Sequence, residues 1–171
     1  MNRSTTRGAG VAFGIAAATF GSILFAPGTA TARPLTCVQP PGGETVLIAG
    51  VAGCGARADL SSNAAALGNA GVGFAQAAAS GAALGVGHAG GTGAAEANRG
   101  LVAAFALGPQ SVAIGAVDQP GLSVAVSGPR GQSFVGAADK GVVCGGGLSA
   151  VANFGTGQAC LSNGVQTWHT P

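Results

Sequence analysis

Residues 108–126 read GPQSVAIGAVDQPGLSVAV. Two runs of alternating apolar residues, 112–114 and 124–126, are separated by Asp118, Pro120 and Gly121, residue types that end strands and turn a chain. Alternation places Val112 and Ile114 on one face of a short strand, and Val124 and Val126 on one face of the next. Burying the larger apolar side chains then predicts a common interior for these four, with Ala113 and Ala125 facing outward.

The same apolar-x-apolar triplet recurs at Val72-Gly-Phe74, Leu84-Gly-Val86 and Phe105-Ala-Leu107, and more weakly at Phe134-Val-Gly136. A helix through the Ala-rich stretch fails on glycine. Gly68, Gly71, Gly73, Gly81, Gly85, Gly87, Gly90, Gly91 and Gly93 would each cost about 1 kcal/mol inside one. Short strands of tiny side chains can instead coil tightly and satisfy their backbone groups with the rungs above and below. The expected fold is mostly β: a small β-solenoid or β-roll of Gly/Ala-rich rungs with disulfide-stapled ends, preceded by a signal-peptide helix. A small irregular β-barrel or sandwich is the alternative. Repetitive texture spans residues 58–143, with a cap segment at 33–57 and a C-terminal disulfide segment and tail at 144–171. In the cap, Pro34, Pro40 and Pro41 keep the chain extended, and residues 44–49 read as a strand that ends near Gly50 and Gly53.

Three units share a lead-in: Gly108-Pro-Gln-Ser111-Val-Ala-Ile-Gly115, Gly121-Leu-Ser123-Val-Ala-Val and Gly131-Gln-Ser133-Phe-Val-Gly. Over residues 63–141 the sequence resembles the SVAIG-type head repeats of trimeric autotransporter adhesins. That resemblance implies rungs stacked as a left-handed parallel β-roll. The family's coiled-coil stalk and membrane-anchor barrel have no counterpart here, so its secretion route and trimeric state are not carried over. In composition and layout the chain is also similar to small exported Ala/Gly-rich proteins of unassigned function from high-GC Gram-positive bacteria.

The first residues carry Arg3 and Arg7 without an acid, then residues 8–26 run uncharged to Pro27 and Gly28, and Ala30 and Ala32 follow. A basic start, an apolar stretch and an A-x-A site predict a signal peptide over residues 1–32, cleaved before Arg33, and a secreted or envelope location. Membrane attachment is expected only through an uncleaved signal segment. Of seven Lys and Arg against five Asp and Glu, two bases leave with the signal, which makes the mature chain formally neutral. Arg57, Arg99, Arg130 and Lys140 stand singly, and no Tyr is present. A nucleic-acid partner is therefore not expected, since neither a basic stripe nor a stacking platform is available. The expected partner is a protein or an envelope polymer.

Four cysteines in an exported chain read as two disulfides with three possible pairings. The preferred pairing is local, Cys37 with Cys54 and Cys144 with Cys160, which clamps both ends of the repeats. A zinc site is not expected, because the close C-x-x-C and H-x-x-x-H spacings are missing.

Residues 85–90, GVGHAG, match the G-x-G-x-x-G pattern, but no long strand leads in and no helix-forming stretch follows, so a dinucleotide cofactor is not expected. G-x-S-x-G is absent, and Lys140 is followed by Gly, so neither a nucleophile elbow nor a phosphate loop is present. Glu44, Asp59, Glu96, Asp118 and Asp139 are dispersed, and Asp118, Arg130 and Asp139 are expected in turns. His88 is expected in a solvent-facing turn, and His169, beside Trp168, in a frayed tail. No catalytic, metal or cofactor residue is therefore assigned. The expected function is an exported structural or adhesive protein, not an enzyme; a small envelope hydrolase with a site around His88 is the alternative.

Overall fold

The computed structural model describes residues 33–170, and the expected signal segment lies outside the described residues. All regular structure in that span is strand. β1 (Leu35–Gln39) and β2 (Gly43–Ala49) come first. The repeats form β3 (Ala52–Ala58), β4 (Asn63–Asn69), β5 (Val72–Ala77), β6 (Ala82–His88), β7 (Thr92–Ala97), β8 (Leu101–Leu107), β9 (Val112–Val117), β10 (Leu122–Ser127) and β11 (Gly131–Val135). The chain ends in β12 (Val142–Gly146), β13 (Leu148–Asn153), β14 (Gln158–Asn163) and β15 (Thr167–His169).

These strands alternate between two sheets, as a solenoid requires. One sheet runs β1-β4-β6-β8-β10-β13-β14-β15 and the other β12-β11-β9-β7-β5-β3-β2. Each turn contributes one strand to each sheet, giving four turns from β3 to β10. Consecutive turns pair in parallel: Val72 lies beside Thr92 and Thr92 beside Val112, 20 residues apart, while Ala82 lies 19 residues before its partner Leu101 and Leu101 lies 21 before Leu122. The triplets are uneven in sequence because a turn holds two strands, and β7, TGAAEA, has no large residues to make one.

Antiparallel strands close the parallel ladder at both ends. β1 lies on β4 and β2 on β3; β12 lies on β11 and β13 on β10. Both expected disulfides are formed, with Cα–Cα separations of 5.7 Å for Cys37–Cys54 and 5.8 Å for Cys144–Cys160. Each joins one sheet to the other beside a closing strand, where unpaired rung edges would otherwise fray.

Facing is the reverse of the sequence expectation. Ala113 and Ala125 are fully buried, whereas Val112, Val124 and Val126 are half-buried on the outside and Ile114 is exposed. The reason is thickness. Stacked sheets ordinarily stand about 10 Å apart, but a β-carbon built on Gly73 would lie 2.1 Å from the Leu67 carbonyl oxygen in the other sheet, and one on Gly85 would lie 1.9 Å from that of Phe74. The two backbones are close to touching there. Only Gly, Ala, Ser and a few Val or Cys fit between them, so the core is dominated by alanine.

Ser111, Ser127 and Ser133 enter the interior with hydroxyls that reach backbone or each other. Ser111 Oγ donates to the carbonyl of Leu107 or Gly108 and lies 3.0 Å from that of Gly128. Ser127 and Ser133 share a hydrogen bond of 2.6 Å. At the corner before β10, Gly121 adopts φ +133°, a conformation that L side chains rarely enter.

Candidate functional site

With large side chains excluded from the interior, register lines them up on the outer faces. On the eight-stranded sheet one row runs Leu67, Val86, Phe105, Val126, Ala150, Leu161, Trp168 across β4, β6, β8, β10, β13, β14 and β15. Trp168 and Leu161 are 51% and 56% exposed. Beside them, Leu107, Val126, Leu148 and Leu161 border a shallow apolar depression of about 360 Å³.

The seven-stranded sheet carries a similar row, Val46, Gly55, Phe74, Ala94, Ile114, Phe134, Val143. Gly55 has no side chain, so the Phe74 ring settles over it: a β-carbon there would be 3.0 Å from Phe74 Cδ2. Val46, Ile48, Val72 and Phe74 line a second depression of about 310 Å³ at this end of the roll. A polar row, Glu44, Arg57, Gln76, Glu96, runs alongside.

Apart from that row, the charges of Asp59, Asp118, Arg130, Asp139 and Lys140 lie at the corners of the roll. Among the described residues one ion pair is formed, Lys140 to Asp139 at 3.2 Å, with both side chains well exposed. Arg130 and Asp139 lie in turns, as expected, and Asp118 follows the end of β9 without being in a turn. Asp59 caps a corner. Its carboxylate accepts the N–H of Ala79 on the next turn at 2.7 Å and that of Ser61 at 2.9 Å. The Ser62 hydroxyl beside it, then these two N–H groups, hold the Asp59 carboxyl below the ordinary carboxylate range. Ser62 Oγ is buried and makes no bond of good geometry, so the backbone donors are the firmer cause.

The structure disperses the residues that sequence reading weighed for chemistry. His88 ends β6 on the outer face, half-buried, with Asn69 and Leu107 as its register neighbours. It is therefore in a strand and not in a turn. Within GVGHAG, Gly85 and Gly87 face the packed interior and Gly90 takes φ +83° in the turn, so these glycines serve close packing and a reversal. His169 does not lie in a frayed tail: β15 pairs with β14, and Thr170 Oγ1 accepts the N–H of Ala159 at 2.7 Å. Its Nε2 stands 3.8 Å from Cys160 Sγ, against the second disulfide. Among the described residues no three His, Cys, Asp or Glu gather as a metal site.

An alanine interior with aligned apolar exteriors thus extends through the whole repeat. The chain belongs to DUF6764, a family of unknown function, whose family model matches residues 1–163. The DUF6764 match takes in β1 to β14 together with the segment before them. No curated protein and no solved structure matches the chain.

Sequence reading missed the outer rows: it assigned two of their members, Ile114 and Val126, to the core and did not connect the others. One signal could have found them. In most rungs the small half is constrained in size, as in Ala83-Gly85-Gly87, Gly93-Ala95-Ala97 and Ser123-Ala125-Ser127, with Val102 and Val117 its largest members in β8 and β9, while the large half varies from Ala to Phe. Restricted size marks the confined face.

Proposed function

We propose that the protein is exported and works in the cell envelope or its surroundings as a non-enzymatic contact protein, holding a partner protein or envelope polymer against the outer rows of a rigid roll. The observation that carries this reading is the row from Leu67 to Trp168, aligned by register and turned away from an interior that admits only small residues. Contiguous apolar surface on a folded chain marks contact sites. Here it sits on a frame fixed by backbone ladders and two disulfides. The disulfides are compatible with an oxidising location, and the signal-type features of residues 1–32 and the likeness to adhesin head repeats support the same reading. The formally neutral mature charge favours apolar contact over electrostatic capture.

Fractionation with N-terminal sequencing, followed by cosedimentation with purified envelope material, tests it. The expected result is a chain beginning at Arg33 that pellets with the envelope, and a Phe105→Ser/Leu161→Ser variant that keeps the circular dichroism but stays in the supernatant. A chain retained inside the cell with residues 1–32 attached overturns the reading. So does hydrolysis of an ester, glycan or peptide that is lost in a folded His88→Ala variant.

A further inference from the structure

The two ends of the roll are finished differently. At the C-terminal end the eight-stranded sheet runs on alone and stops in the three-residue β15. Among the described residues, β1 and β2 finish their sheets side by side at the N-terminal end, each lying on a strand of the first turn. An edge strand presents a row of open N–H and C=O groups, and natural edges are blunted by short length, proline or lysine. β1 is five residues long and bounded by Pro34 and Pro40. β2 has seven residues, no proline, no lysine and one charge, Glu44. Its Val46, Leu47 and Ile48 are 55%, 44% and 80% exposed.

We infer that this end is an interface between two copies of the chain, in which β2 of each copy pairs antiparallel with the other about a two-fold axis at Leu47. An open strand edge is completed by another strand, and three features select this chain's own. Leu47 is the register partner of Cys54, which is bonded to Cys37 in the other sheet, so all three lie at one level along the strands. A single axis crossing both sheets at that level sets β2 against its copy and β1 against its copy together, and both sheets continue through the pair. Second, the side chains suit that register. Leu47 meets Leu47 of the partner subunit, and Val46 meets Ile48 of the partner subunit, apolar cross-strand pairs of the kind that stabilise antiparallel ladders. Glu44 falls opposite Gly50 of the partner subunit, which keeps the two carboxylates apart. Third, Pro34 and Pro40 stand three residues on either side of Cys37, so the same axis sets them opposite one another just outside the β1 ladder, where neither removes a bond from it.

This pairing does not depend on export or on what the outer rows hold. Sedimentation equilibrium of the purified chain reads it directly. The expected mass is that of a pair, and Leu47→Lys, which sets two ammonium groups face to face at the axis, weakens the pair by roughly tenfold or more with unchanged circular dichroism. Ile48→Lys, at an exposed site, does the same should the first variant misfold. Register is read by cross-linking: a mixture of V46C and I48C chains links covalently, whereas neither links efficiently alone. A single-chain mass across the concentration range, with or without capture of an extended apolar peptide, overturns the inference. So does a pair that persists in both lysine variants, or equal cross-linking by each cysteine variant alone.

Discussion

Gly85 in one sheet faces the carbonyl of Phe74 in the other so closely that a β-carbon on Gly85 would stand 1.9 Å from that oxygen. The obstacle is backbone held in a ladder, not the movable end of a side chain. Gly85→Ala should therefore destabilise the protein by about 3 kcal/mol or more, at the upper end of overpacking costs. Leu101→Ser, at an outward position 55% exposed, should change stability by less than about 1 kcal/mol. Urea midpoints at constant m-value compare the two.

Ser127 and Ser133 hydroxyls are buried together at 2.6 Å. Ser127 also donates to the Val112 carbonyl, so removing Ser127 strands the Ser133 hydroxyl in the interior, which costs about 1–3 kcal/mol, whereas removing Ser133 leaves Ser127 its carbonyl partner and costs less. Removing both leaves two alanine-sized groups in a space that already suits alanine. Ser127→Ala/Ser133→Ala should lose less than the sum of its single variants, and a double-mutant cycle from denaturation midpoints measures the difference.

Asp59 ties one turn of the roll to the next through the N–H of Ala79. Its folded pKa lies below the ordinary value of 3.8, so its contribution to stability is complete above that value and is lost as pH falls below it. In Asp59→Asn the charge is gone at every pH. The melting temperature of the variant should fall short of the parent at pH 6, and the gap should narrow as the pH is lowered through about 4 towards 2.

Each disulfide closes a span of 17 or 16 residues and holds one sheet to the other at an end of the roll. Loss of either should cost about 3 kcal/mol in the chain-entropy description. Opening should also be local. In Cys37→Ala/Cys54→Ala, hydrogen exchange should speed up first in β1 and β2, while the amides of β7 and β8 keep their protection.

Much of the architecture was legible because strand alternation and turn residues are local properties. Short strands at 112–114 and 124–126, the strand over 44–49 and the arrangement of rungs were read from residue type and spacing, and the preferred of the three cysteine pairings is the one formed. Which face lay inside was not legible from the same logic. Hydrophobicity ranks Ile114 above Ala113 for burial, yet the distance between two backbones, set by glycines such as Gly73 and Gly85 in other rungs, reverses the choice. That distance is a property of the assembled turns and no short window contains it. The outer rows were hidden for the same reason, since Leu67, Phe105 and Trp168 meet through register between strands far apart in sequence. His169 was placed in a loose tail because its partner strand, β14, contributes pairing that its own sequence does not announce.

The repeating interior also bears on how such a chain changes over generations. A section through one turn of 19 to 21 residues presents to its neighbours much the same small-residue surface as the section before it. Duplication or deletion of one whole turn therefore creates no new kind of core and disturbs only local links between turns, such as that of Asp59 with Ala79, while a gain of half a turn would exchange the two sheets and strand a closing element on the wrong side. The molecule is a ruler whose length is free in whole units, with its cysteine-bearing ends transferable unchanged to a longer or shorter version.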